Sequence, residues 1–244
     1  MAQVIAIGNA VNDEERKAIA WLKEKLPDDY YVIHNFEVVQ NDQQFFEVDI
    51  CVVAPHAIYL VDAKGIHGHV EVDGSKWYTK YHNYSSPLPK LRGNAKSLSG
   101  HICKQNRANR DLKNIYVDTA VLLTIDDCEF KDPEDRERGH VVALKNSTRF
   151  FTDSARIPER FERNVTKYIQ IIAEVLGKSA QKRSHGERFG NWEVAETLTD
   201  NQYFTEYRVF NITAGRKGGT VLAKAYKADP NLPDEERSKQ KRLI

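Results

Sequence analysis

Cysteine is scarce in this 244-residue chain. Cys51, Cys103 and Cys128 are far apart and none belongs to a CxxC pair. That excludes a disulfide frame and a zinc knuckle, leaving three small apolar side chains suited to a reducing compartment. Also missing are an apolar run of membrane-spanning length and a charged-then-apolar leader. A soluble, cytoplasmic protein with no membrane partner is therefore expected. Charge of one sign is lacking too: 36 Lys and Arg against 35 Asp and Glu leave +1, which gives no global nucleic-acid signature. The remainder is ordinary. Hydrophobic residues make up 41%, enough for a core, and charged residues 29%, in a length that suits one large or two smaller domains.

The informative stretch is Glu47-Val48-Asp49-Ile50-Cys51-Val52-Val53, the break Ala54-Pro55-His56-Ala57, and Ile58-Tyr59-Leu60-Val61-Asp62-Ala63-Lys64. Both runs are short, apolar and β-branched, and the break supplies a turn. A hairpin closed symmetrically there pairs residues whose numbers sum to about 111, which sets Asp49 opposite Asp62. Alternation puts Asp62 and Lys64 on one strand face and Tyr59, Val61 and Ala63 on the other. Two facing carboxylates in an apolar hairpin are destabilising unless a cation offsets them. A bound metal with Lys64 beside it is the economical answer; the competing reading is a plain Asp62–Lys64 ion pair on a solvated face.

A third acid comes from Asn12-Asp13-Glu14-Glu15. Ala18, Ile19, Leu22 and Leu26 follow at helical spacing, with Glu15 at the top of that inward stripe. Asn12 with Glu15 is equally a capping box, and Glu14 stays open as the alternative acid.

Glu15 on an N-terminal helix, Asp49 on one strand and Asp62-Ala63-Lys64 late in the next resemble the PD-(D/E)xK nuclease superfamily. In detail the helix at 15–26, the runs 47–55 and 58–65, and Gly68 resemble a NERD, or nuclease-related, domain spanning roughly residues 9–175. Asp62 stands where that family usually carries Glu, which keeps metal binding but alters its geometry. The resemblance implies an α/β fold with a mixed central sheet flanked by helices. It also implies Mg²⁺ or Mn²⁺ as cofactor, held by Asp49, Asp62 and the Ala63 carbonyl, with Glu15 reaching the metal directly or through water. Lys64 would orient the attacking water. The implied activity is hydrolysis of DNA, as endonuclease or nickase, in phage or foreign-DNA defence alongside other defence proteins. RNA fits the same phosphate chemistry, and cutting both strands of a duplex would call for a homodimer. The rival reading is a catalytically silent module for nucleic-acid binding or docking.

Residues 88–113 read as a helix with Leu91, Ala95, Leu98 and Ile102 on one stripe. Arg92, Lys96, Arg107 and Arg110 lie on the next, a candidate phosphate track. Gly93 and Gly100 weaken it by about 1 kcal/mol each, which leaves room for a bend or break near Gly100. His67 and His69 read as loop or exposed-strand residues. Residues 115–125 and 140–144 read as strands, and 158–176 as an amphipathic helix.

Residues 177–188 are polar, basic and without periodicity, a linker between a nuclease-like domain at 1–176 and a partial domain at 189–244. The latter shows strand-like runs at 192–198, 204–212 and 220–226. Its Val221-Leu222-Ala223-Lys224 string resembles the third strand of a protein-kinase N-lobe, which implies Lys224 on nucleotide phosphates. Thr199-Asp200-Asn201-Gln202-Tyr203 replaces the glycine-rich loop, and no His-Arg-Asp or Asp-Phe-Gly string follows. Kinase activity is thus not expected from this small β-rich piece, which would lead into a helix. The arrangement resembles NERD–kinase proteins of bacterial phage-defence systems, of which this chain would be a fragment.

Overall fold

The computed structural model describes residues 1–10, 12–41, 44–80, 83–105, 112, 114–161, 164–169, 171–172, 176, 180–182, 188–189, 192–201, 204–211 and 219–226. In chain order the elements run β1 (Gln3–Ala6), α1 (Asp13–Lys25), β2 (Tyr31–Asn41), β3 (Gln44–Val53), β4 (Ile58–Lys64), β5 (His69–Asp73), β6 (Lys76–Tyr78) and β7 (Asn83–Ser85). There follow α2 (Leu88–Gln105), β8 (Val117–Leu123), β9 (Glu129–Lys131), β10 (Val141–Ala143), α3 (Ser147–Thr152) and β11 (Ala180–Lys182). The last four are β12 (Arg188–Phe189), β13 (Trp192–Asp200), β14 (Phe204–Asn211) and β15 (Thr220–Tyr226). They divide into two compact units, one of residues 1–40 and 45–183, the other of 41–44 and 184–244.

The first unit is built on a mixed sheet of order β1-β2-β3-β4-β8-β10, with β11 on β2. β4 is central, antiparallel to β3 and parallel to β8. Burial on both faces explains why its sequence is a nearly continuous apolar run. Alternation sorts these strands into two cores. Ile50, Val52, Tyr59, Val61 and Ala63 join Ala18 and Leu22 of α1 on one side. Cys51, Val53, Ile58 and Leu60 join Ala95, Leu98 and Ile102 of α2 on the other. A smaller sheet of order β7-β6-β5-β9 closes over a third cluster around Val70, Trp77 and Leu88.

Helix α1 starts where Asn12 Oδ1 accepts the Glu15 N–H at 2.8 Å. Asp13, Glu14 and Glu15 lie in its first turn and Lys23 and Lys25 in its last, complementing the helix dipole. Helix α2 begins after Ser86, whose Oγ accepts the Leu88 N–H at 3.2 Å, and runs unbroken through Gly93 and Gly100 to Gln105. The helix does not break at Gly100: Leu98 and Ile102, buried on either side of it, anchor both halves to one core. The stretch 106–111, with Arg107 and Arg110, lies outside the described residues.

The helix expected at 158–176 starts later than read: Ile169, Ile171, Ile172 and Leu176 are helical, and the stretch before them is not. Pro158 instead opens a turn closed by the Phe161 N–H on the Pro158 carbonyl at 3.0 Å, and Val165 N–H donates to the Pro55 carbonyl at 2.6 Å. A 3₁₀ turn at Thr166–Tyr168 follows. The apolar spacing still marked the inward side chains, since Val165, Tyr168, Ile169, Ile172 and Leu176 are buried. Ala180–Lys182, inside the stretch read as a linker, pairs antiparallel with β2. Among the described residues no helix is long and apolar enough to cross a membrane.

The second unit is an antiparallel sheet of order β12-β13-β14-β15. Thr205, Tyr207 and Val209 alternate inward from β14, and β13 carries irregularities between Val194 and Glu196 and between Thr197 and Thr199. The helix expected to follow β15 lies outside the described residues.

Candidate active site

The β3–β4 turn closes with the Ala54 N–H on the Ala57 carbonyl at 2.8 Å. Its register is Ile50↔Val61, Cys51↔Leu60, Val52↔Tyr59 and Val53↔Ile58, the symmetric pairing expected from the length of the break. One step further along that ladder Asp49 meets Asp62. Both carboxylates and Lys64 lie on the α2 side of the sheet. Lys64 Nζ is 2.9 Å from Asp62 Oδ1, with the Asp62 side chain 14% exposed and that of Lys64 43%. Burial raises the Asp62 carboxyl from its ordinary value; Lys64 pulls it back, Asp49 pushes it up and Lys90 pulls it down. Ala63, between the pair, turns its methyl into the α1-side core.

These side chains line one wall of a cleft of about 700 Å³, completed by Glu47, Lys90 and Tyr84. Sequence reasoning missed all three. Glu47 sits two residues before Asp49, so period-two alternation alone places it on the same face. Lys90 precedes Asn94, another cleft residue, by one helical turn; its position beside the apolar stripe was the available signal. No local pattern marked Tyr84, which arrives on the small sheet. Among the described residues no group of three or more His, Cys, Asp and Glu side chains is placed to hold a metal.

The two acids that open α1 part company. Glu15 is 4% exposed. It accepts from Asn12 Nδ2 at 3.0 Å through one oxygen and from Asn35 Nδ2 at 2.6 Å through the other, which ties α1 to β2. Glu14 points instead to the end of β4. Its carboxylate accepts the Thr124 hydroxyl, which lies 3.3 Å from the Lys64 carbonyl, and a methyl added to Gly65 would collide with it.

Of the basic stripe, Arg92 and Lys96 face a different cavity, beside β8. Arg107 and Arg110 are outside the described residues. His67 and His69 are exposed, and His67 Nδ1 is 3.5 Å from Asp127. In the second unit Lys224 lies on β15 opposite Glu206, its ammonium 3.8 Å from the Phe204 ring centroid.

Comparison with known proteins agrees with this architecture. No solved structure matches the chain at a significant level. The probable kinase PglW of Streptomyces coelicolor is 27% identical over 134 residues, a match that covers 52% of this chain and 8% of that protein. This chain thus spans less than a tenth of the curated relative's length. The profile of the nuclease-related domain matches residues 10–124, from the approach to α1 through the end of β8. Residues 10–124 are therefore a nuclease-related, or NERD, domain.

Proposed function

We propose that the first unit hydrolyses phosphodiester bonds of DNA in the β3–β4 cleft, using Mg²⁺ or Mn²⁺. The observation that carries this reading is the Asp49–Asp62 pair with Lys64 Nζ 2.9 Å from Asp62, on the wall of a cleft open to substrate. The donor set fits the cation: two hard carboxylate oxygens suffice for Mg²⁺, which keeps several of its waters, and the cleft has room for them. Asp49 and Asp62 would hold it, with the Ala63 carbonyl as a further donor and an acid of α1, Glu15 or its neighbour Glu14, reaching it through water. The bound cation would supply charge stabilisation at the phosphoryl oxygens.

The remaining work falls to the chain's own groups. Lys64 offers three N–H donors to orient a water and a positive charge for the phosphate. Lys90 adds a second positive charge across the cleft. Substrate discrimination between DNA and RNA would rest on groups that meet the sugar, since the acids and lysines act on phosphate. In a longer protein, residues 1–176 would form the nuclease-like module and 189–244 the start of a kinase-like domain, with Lys224 toward nucleotide, in a system directed against foreign DNA.

The test is cleavage of supercoiled plasmid with Mg²⁺ or Mn²⁺ by the wild type and by Lys64→Ala. Nicking that needs both metal and Lys64 is the expected result. DNA binding without cleavage by either protein would overturn hydrolysis in favour of a docking or binding module.

A further inference from the structure

The edge of the main sheet beside β8 carries a second constellation of charged and aromatic side chains. β10 pairs with β8 only from Val121 onward, and a cavity of about 450 Å³ opens beside the strand's first half. Arg92 and Lys96 reach it from α2, Tyr116 and Asp118 from β8 and its approach, and His140 and Phe161 from the far side. His140 is fixed through one nitrogen: Nδ1 is 3.0 Å from the Thr119 carbonyl oxygen and 3.4 Å from Asp118 Oδ1. With Nδ1 engaged as the donor, Nε2 is the ring atom left to meet a ligand.

Asp118 is 5% exposed and has Arg156 Nη2 4.0 Å from its other oxygen. Its charge is therefore matched by His140 and Arg156, which leaves Arg92 and Lys96 as cations in excess at the cavity. Tyr116 and Phe161 form an aromatic wall with ring centroids 4.7 Å apart, and the Arg160 guanidinium lies 4.9 Å from the Phe161 centroid. Cations beside an aromatic wall are the combination that holds a phosphate together with its sugar and base.

We propose that this cavity is a second binding site, for a nucleotide unit: Arg92, Lys96 and His140 take the phosphate, and the Tyr116–Phe161 wall takes the sugar and base. The site is separate from the β3–β4 cleft. Helix α2 gives Lys90 and Asn94 to the cleft and Arg92 and Lys96 to this cavity. Asp118 lies three residues before Val121, the partner of Asp62 on β8, about 10 Å along the sheet. A strand crossing that distance could occupy both, and a free nucleotide could occupy the second alone.

The charged groups around His140 are Asp118 of β8, Arg92 and Lys96 of α2 and Arg156 of the turn after α3. The hydrogen bond to Asp118 raises the imidazolium pKa, against burial and Arg92. The cationic form is thus present on the acid side of neutrality and lost as pH climbs through the raised value, and phosphate binding follows it.

The experiment measures fluorescence anisotropy of a short labelled oligothymidylate on the full chain in EDTA, between about pH 6 and pH 8. The variants are Arg92→Gln/Lys96→Gln and His140→Gln, each checked for an unchanged thermal midpoint. The double variant is expected to bind more weakly and to lower the salt slope by about 0.7 per lost phosphate contact. His140→Gln is expected to flatten the pH dependence. Displacement of the oligonucleotide by AMP would assign the site to free nucleotides, and resistance to AMP would assign it to a strand. Wild-type affinity in both variants across the pH range, or no binding of either probe by the wild type, would overturn the proposal. Because no cleavage is read, failure here is distinct from failure of the nuclease reading.

Discussion

The Lys64 ammonium lies 2.9 Å from Asp62 Oδ1, at the end of a strand whose neighbour brings Asp49 up to the same carboxylate. One cation thus partly offsets two acids. For a metal held by those acids, Lys64 is a competitor by charge; for a phosphate arriving at the metal, it is an ally. Lys64→Ala should therefore bind Mg²⁺ or Mn²⁺ at least as tightly as wild type while losing cleavage by about a hundredfold or more, the scale of removing one electrostatic donor. The check is the metal-induced rise in thermal midpoint beside plasmid nicking. Loss of the metal effect together with the activity would assign Lys64 to holding the acids in place.

Asp62 itself costs the empty site stability. Burial raises its folded pKa, so between its unfolded and folded values the native state binds the extra proton, and stability falls as pH rises through that window. Above the window the charged carboxylate is a standing penalty in the metal-free protein. Asp62→Asn should then raise the thermal midpoint in EDTA at pH 7, with the gain shrinking as pH falls toward the ordinary carboxylate value. Added Mg²⁺ should reverse the order by stabilising wild type alone. Calorimetry in EDTA and in excess Mg²⁺ provides all four numbers.

The hairpin, its register and the Asp49–Asp62 confrontation were legible because one short break fixes a pairing and period two does the rest. The three strands β13, β14 and β15 were legible for the same reason. What stayed hidden arises from longer range. Over 158–168, the first half of the expected helix, the apolar spacing serves turns instead, and only the Val165–Pro55 hydrogen bond shows which geometry holds there. Lys90 and Arg92 are two residues apart on one helix, yet they face different cavities; a helical stripe shows which residues are neighbours and not what covers them. Glu14 and Glu15 differ because Asn35, far along the chain, claims Glu15.

That difference is testable. Glu14→Gln keeps the size of the side chain and removes the charge beside Gly65, so the thermal midpoint should stay near wild type while metal-dependent cleavage falls. Gly65→Ala should act likewise, because its methyl displaces the flexible end of Glu14. Glu15→Ala strands the buried Asn35 amide and should cost about 1–3 kcal/mol, seen as a lower urea midpoint. Wild-type cleavage in Glu14→Gln, or a wild-type urea midpoint in Glu15→Ala, would show that the two acids do not divide their duties in this way.

Lys224 provides a test of the second unit. Its ammonium over the Phe204 ring is an exposed cation–π contact worth about 0.5–1 kcal/mol, and its strand partner is Glu206. Lys224→Ala should leave plasmid cleavage unaltered and shift stability by no more than that amount. ATP binding lost in this variant, followed by a fluorescent nucleotide analogue, is the outcome expected if the kinase resemblance of β15 extends to phosphate binding. ATP binding that survives the substitution would assign the nucleotide to another site.

Asn35 joins the helix acid to the sheet through an unusual backbone. It is fully buried, adopts φ +55°, donates to Glu15 at 2.6 Å and has its Oδ1 2.7 Å from His34 Nδ1. Asparagine tolerates the left-handed region better than other side-chain-bearing residues, whereas alanine pays about 1 kcal/mol there. Asn35→Ala should combine that strain with the loss of the Asn35–Glu15 hydrogen bond, a bond to a charged group worth about 1.5–3 kcal/mol. Asn35→Gly removes the strain and keeps the loss of that hydrogen bond. Denaturant midpoints should therefore rank wild type above Asn35→Gly above Asn35→Ala, and the gap between the two variants measures the backbone contribution by itself. If glycine restored full stability, the Glu15 hydrogen bond would carry none of the anchoring of α1 to β2.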